Sequence, residues 1–367
     1  MSKTPVKFLI LLICLAAFSN AFAINIYTSE ESSVDAYGSL RMQAETIDAD
    51  TAQAGESSSY NGIRDAYTRF GIKASTVFSD DLTIGAKIEI PFNLADLRQE
   101  DPTFFEGFYK ENYSPRIYKV TASSKKFGTI NFGKQWLAYY NNIAYPVDYF
   151  SSFYAGYSTY AYFRREALTY TTPTFSGFSA TISGVDLFDG IDSSTGESTK
   201  YLDTMQYIAS YAKGPFNVAV AYQDTVNDRA NLIAASASYT VGPWRFAGKI
   251  EQQLTDSSVV SSATTNIDPI LFNIYGSYTV DQWTMKATYA NGDGEEGAGG
   301  EAFFIGDTYQ LGVDYQYNPK MKFFAEYFFE QNSYAIYTPN SDAFDPLAGF
   351  QVESDSQAFL VGGRFDF

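Results

Sequence analysis

Gln357-Ala358-Phe359-Leu360-Val361-Gly362-Gly363-Arg364-Phe365-Asp366-Phe367 closes the sequence and alternates to its last residue. Phe359, Val361, Phe365 and Phe367 fall on one face of an extended strand, with Gly363 among them; Arg364 and Asp366 fall on the other. A soluble sheet seldom ends this way, because termini fray and an exposed apolar edge invites aggregation. A closed barrel in a bilayer has no edge and gives the apolar face a solvent of its own. The expected fold is therefore all-β, a transmembrane antiparallel up-and-down β-barrel.

The other end of the chain predicts export. Lys3 and Lys7 precede an apolar stretch, Phe8 to Ala17, that is too short to span a bilayer, and Ala21-Phe22-Ala23 has the small-x-small form of a cleavage site. Residues 1–23 are expected to be a signal peptide and residues 24–367 one barrel domain. The single cysteine, Cys14, lies inside the signal, so the exported chain has no thiol for a disulfide or for catalysis. No later run is long enough for a spanning helix. Barrel strands are half polar, so a mean hydropathy of −0.19 conceals them. The net charge of −17 argues against nucleic acid as a partner.

Working inward, strands of period 2 recur. Phe216, Val218, Val220 and Tyr222 share a face; Trp244, Phe246 and Ile250 oppose Arg245, Lys249 and Glu251; Trp283, Met285, Ala287 and Tyr289 oppose Thr284, Lys286 and Thr288. Polar faces carrying both charge signs suit a water-filled lumen. Short turns near 79–81, 125–126, 174–177, 213–215, 242–243, 280–282 and 318–320 alternate with longer polar segments near 47–61, 94–112, 140–163, 189–202, 225–230, 255–268, 292–306 and 335–354. Seven turns and eight loops make about sixteen strands, with both ends of the barrel domain on one side. Phe127, Phe175, Phe178, Phe216, Trp244 and Trp283 border the turns, as an interfacial girdle requires.

Several stretches, in order and spacing, resemble the general (non-specific) porins of Gram-negative bacteria across nearly the whole exported chain. They are Val34-Asp35-Ala36-Tyr37-Gly38, Thr68-Arg69-Phe70-Gly71-Ile72-Lys73, Leu82-Thr83 through Glu89-Ile90-Pro91-Phe92, Phe127-Gly128-Thr129-Ile130-Asn131-Phe132-Gly133-Lys134-Gln135, and Ala167-Leu168-Thr169-Tyr170 through Phe178. The resemblance implies an outer-membrane channel for passive diffusion of small hydrophilic solutes and ions. It also implies a homotrimer bordered by lipopolysaccharide and outer-membrane lipid, with Phe367 belonging to the signal read by the barrel-insertion machinery. In such proteins the third loop folds inward and narrows the pore opposite a ladder of basic side chains.

Strand parity places Arg69, Lys134 and Arg165 in the lumen, and Arg41 with them because it shares parity with Asp35 and not with Val34, Leu40 and Met42. Glu89 matches an acidic wall residue that the family places among the basic cluster. Charges opposed across a narrow, low-dielectric constriction set a transverse field that orders water and sorts solutes. Residues 139–163, the expected third loop, hold eleven aromatics but one charge, Asp148, after Pro146-Val147. That leaves the acidic half of the constriction thin. The rings are expected mainly to pack the loop on the wall. The alternative is a channel specific for sugars or oligosaccharides, in which Tyr145, Tyr149 and Tyr154 contact the solute.

No histidine occurs, which removes His-dependent hydrolysis and imidazole metal sites. Asn291-Gly292-Asp293-Gly294-Glu295-Glu296 lacks calcium-loop spacing. No enzyme activity, cofactor or metal is expected.

Overall fold

The structure, a computed structural model, describes residues 24–51, 56–91, 115–151, 159, 161, 163–186, 189–191, 198–200, 204–225, 231–254, 270–293, 306–334 and 353–367. The strands in chain order are β1 (Ile24–Thr28), β2 (Ser32–Thr51), β3 (Glu56–Asp65), β4 (Arg69–Val77), β5 (Leu82–Pro91), β6 (Ile117–Ser124), β7 (Gly128–Trp136), β8 (Arg164–Thr171), β9 (Phe178–Val185), β10 (Asp189–Ile191) and β11 (Ser198–Lys200). They continue with β12 (Thr204–Lys213), β13 (Phe216–Thr225), β14 (Asn231–Val241), β15 (Trp244–Leu254), β16 (Ile270–Val280), β17 (Trp283–Asp293), β18 (Asp307–Asn318), β19 (Met321–Tyr334) and β20 (Glu353–Asp366).

Antiparallel pairing runs from β2 through β4 to β9, on through β12 to β20, and back to β2, which closes a sixteen-strand barrel. β3 and β4 lie on the same side of β2 and act as one barrel strand, interrupted where the Ala66 N–H donates to the Arg41 carbonyl at 2.9 Å. The seam is closed by both ends of the described chain. Phe367 and Gly38 exchange backbone hydrogen bonds of 2.8 and 3.0 Å. β1 then continues that line along β2, starting from Ile24 opposite Ala36. No edge is left in the ring, which answers the hazard posed by an apolar strand terminus.

Outward faces are apolar and bare: Ile233 is 49% exposed, whereas its inward neighbour Leu232 is 2% exposed. Rings meet at both ends of this face. Near the short turns Phe178 lies 4.5 Å from Tyr211, and Phe216–Tyr239, Trp244–Tyr278 and Trp283–Tyr315 lie at 4.6 Å. At the other end Phe272, Tyr289, Tyr309 and Phe329 form a row with spacings of 5.6, 4.9 and 6.2 Å. These are the two aromatic belts of a membrane barrel.

The seven short turns fall where the sequence places them. Gly214 and Gly242 take φ of +59° and +54° in two-residue hairpin turns. Between two turns, Asp81 accepts from the Ser124 hydroxyl at 2.6 Å and the Lys126 N–H at 3.2 Å. Those bonds, the hydroxyl first, hold its carboxyl below the ordinary carboxylate range. One loop differs from expectation: around 47–61 the ladder continues to Thr51 opposite Glu56, because alternation persists above the belt. The 189–202 segment contains the small β10–β11 hairpin, and the remaining long loops after 92 lie wholly or largely outside the described residues, apart from the third.

Gly133 has φ +115°, and a Cβ there would sit 2.2 Å from the Tyr118 carbonyl oxygen on the neighbouring strand. Gly133→Ala is expected to cost about 1–3 kcal/mol of barrel stability through this overlap and its left-handed backbone. A lowered urea midpoint, read as loss of the compact band on unheated gels, checks it.

Candidate functional site

The third loop lies inside the barrel. After β7 the chain makes a π turn over Tyr140–Ala144 and a 3-10 turn over Tyr145–Val147, with Pro146 suited to the start of the second. Tyr139, Ile143 and Ala161 are buried with Ile208, Ala219, Ala221, Leu232 and Ala234 from the inner wall. Polar anchors follow the loop. Gln206 accepts from the Tyr139 N–H at 3.2 Å, Ser236 donates to the Asn142 carbonyl at 2.6 Å, and Arg245 donates to the Pro146 carbonyl at 3.3 Å. Glu326 accepts from the Ser151 N–H at 2.7 Å.

A buried ionic cluster backs the loop. Lys286 lies 2.8 Å from both Asp314 and Glu326, donates to the Tyr149 carbonyl at 3.2 Å and sits 4.8 Å from the Phe150 ring centre. Lys249 and Glu251 pair at 2.7 Å, fully enclosed. These inward charges, expected to face water, are covered by the loop, whose backbone supplies some of their hydrogen-bond partners. Loop rings share the anchoring: Tyr149 and Phe150 pack on Tyr275 at 5.4 and 6.3 Å.

Across the lumen, β2, β4, β5, the bend before β6 and β20 carry a basic cluster. Glu89, 4% exposed, is its centre: Arg116 approaches at 3.4 Å, Lys87 at 3.6 Å and Arg69 at 3.9 Å, while the Tyr37 hydroxyl donates at 3.1 Å. Gly71 leaves room for Tyr37, whose ring would lie 2.3 Å from a Cβ there. Arg41 donates to Ser39 at 2.8 Å and lies within electrostatic reach of Arg69, Arg116 and Arg364. Arg364 in turn holds Asp366 at 2.7 Å. Five cations, Arg41, Arg69, Lys87, Arg116 and Arg364, thus face two carboxylates, Glu89 and Asp366.

The sequence-derived set divides. Arg41, Arg69 and Glu89 lie together in the basic cluster. Arg165 is on an inward position and engages Asp186 at 3.9 Å. Asp148 lies on the loop, where the Tyr140 hydroxyl donates to it. Tyr154 lies outside the described residues. Lys134 requires a correction: it shares its face with Ile130 and Phe132, 47% and 46% exposed, and points outward. The apolar pair sets the phase of β7, and Asn131 and Gln135 take the lumen side. Lys134 stands between Tyr118 and Glu166 in register, and the Tyr118 hydroxyl donates to Glu166. Lys87, Arg116 and Arg364 were missed, although Lys87 shares its parity with Glu89 on β5. Arg364 was legible from terminal alternation, whereas Arg116 precedes its strand, where parity carries no signal.

The family model for Gram-negative porins matches residues 10–334. The outer membrane porin PhoE of Enterobacter cloacae is 22% identical over 335 residues, spanning 85% of this chain and 89% of that protein. Among solved structures, an anion-selective porin from Comamonas acidovorans aligns with a TM-score of 0.68 at 18% identity, over 92% of this chain and all of that one. The trimer form of OmpT from Vibrio cholerae aligns at 0.62 and 17%, also over 92% and 100%.

Proposed function

We propose that this chain, which belongs to the Gram-negative porin family, sorts the solutes it passes by charge and favours anions. As a porin it is an outer-membrane β-barrel channel through which small hydrophilic solutes diffuse down their gradients, and it is not an enzyme. The observation that carries the anion preference is the imbalance of five cations over two carboxylates on one wall, facing a loop whose single acid is already bonded by Tyr140. The chain's net charge of −17 does not decide this, because salt screens charges more than about 8–10 Å from a passing ion. The Comamonas acidovorans likeness bears on the fold alone, so the weight rests on the charges. The sugar-specific alternative is not favoured, since Tyr149 packs on the wall. Single-channel recording across a KCl gradient tests the reading: the reversal potential is expected on the chloride side, and a potassium-side value would sink it.

The same reading includes a homotrimer. Outward positions of β2, β4, β5 and β6 include small residues (Ala36, Gly38, Ala74, Ala86, Ala122), and β4–β7 form an apolar groove there with Ile72, Ile88, Tyr118, Val120 and Phe132. A recessed apolar face with small side chains lets a neighbouring subunit approach closely. Sedimentation in detergent is expected to give three copies, and Ala74→Arg to reduce that to one. Residues 1–23 serve as the export signal and 24–367 as the barrel domain. Phe367 contributes to recognition by the insertion machinery, and lipopolysaccharide and outer-membrane lipid border the barrel.

A further inference from the structure

We propose that the third loop presents a subsite for small planar aromatic anions, such as aromatic carboxylates, an inference that rests on the anion-preferring channel described above. The Arg164 guanidinium lies 4.9 Å from the Trp136 ring centre, and Trp136 stacks on Tyr140 at 4.6 Å and 22°. Tyr140 meets Tyr145 at 6.3 Å, Tyr145 meets Tyr149 at 5.6 Å, and Arg245 covers Tyr149 at 4.5 Å. The result is an unbroken run of rings with a guanidinium at each end. Packing accounts for Tyr140, 5% exposed, but not for Tyr145, which leaves 49% of its surface open in the middle of the run.

Arg164, the register partner of Trp136 at the strand ends, lies within electrostatic reach of both Arg69 and Arg116. A solute with a carboxylate on a flat ring matches both features at once. Its carboxylate meets a guanidinium fork, whose planar donors fit two oxygens, and its ring lies offset on Tyr145. Tyr145 is held by rings on two sides, so little side-chain freedom is lost on contact. Sugars fit less well. They need hydrogen-bonding groups around the ring edge, and the loop's one carboxylate, Asp148, already accepts from Tyr140.

The test compares benzoate with cyclohexanecarboxylate, equal in charge and near in size, by influx into liposomes holding the full-length protein. Benzoate is expected to enter about three- to tenfold faster, the range an offset ring contact supplies. Tyr145→Leu is expected to bring the ratio to one, and Tyr145→Phe, which keeps the ring, to preserve it; compact migration on unheated gels establishes that both variants fold. A wild-type ratio of one, or a ratio unchanged in Tyr145→Leu, overturns the subsite. The wild-type reversal potential in KCl separates the two readings. On the chloride side it leaves the anion channel standing when the ratio fails; on the potassium side it removes both.

Discussion

Exchanging Arg69 and Arg116 together for glutamate is expected to turn the pore from anion- to cation-preferring. The wall then holds three cations, Arg41, Lys87 and Arg364, against four carboxylates, the two new ones joining Glu89 and Asp366. The balance moves from an excess of three positive charges to one negative. A unit charge about 5 Å from a passing ion contributes about 0.8 kcal/mol even at the dielectric constant of water. Four units therefore supply about 3 kcal/mol before screening. Salt removes part of this, and a fall of roughly tenfold in the chloride-to-potassium permeability ratio is expected. The reversal potential in a KCl gradient should change sign. If it keeps its sign while the variant folds and conducts, the wall does not set selectivity. Arg116 is the informative half of the pair. It is 9% exposed and belongs to no strand, and its guanidinium reaches Glu89 from the bend that leads into β6.

Lys286→Met is expected to loosen the third loop while leaving the barrel closed. Lys286 neutralises Glu326 and Asp314, caps the Tyr149 carbonyl and lies under Phe150, with 1% of its side chain exposed. Asp314 retains Lys322 at 3.0 Å after the exchange, but Glu326 loses its lysine inside the wall. Breaking a buried pair from one side costs about 3–5 kcal/mol, because the remaining charge is left without its counter-charge. The ring of strand ladders resists that strain; a loop held by a few side chains yields first, and lifting it lets water reach Glu326. Flickering and enlarged single-channel steps are expected, with a smaller change in the urea midpoint of the barrel. Adding Glu326→Leu removes the stranded charge and should quieten the channel. Quiet, wild-type steps in Lys286→Met alone would show that the loop is held by its rings.

The periodic parts of this chain were legible in one dimension. Alternation in Phe216–Thr225 and Trp244–Leu254 gave the strands, and Gly214-Pro215 and Gly242-Pro243 their turns; sixteen strands followed from counting. The same parity placed Arg41 and Arg69 in the lumen, and the family resemblance placed Glu89 beside them. It failed where the phase of a strand was counted wrongly, as with Lys134, which shares the face of Ile130 and Phe132, and where no strand existed to count from, as with Arg116.

The sequence by itself determined the class of fold, the membrane and the inward or outward side of most strand residues, because all three follow from a period of two and the need to leave no backbone edge in lipid. Only the tertiary structure decided which inward charges meet water. Lys249, Glu251 and Lys286 face the lumen by parity yet lie sealed under the third loop, while Arg41, Arg69, Arg116 and Arg364 converge from segments far apart in sequence. Solvent access and charge proximity depend on where a loop lies across a closed ring, and local alternation carries no information about that distance.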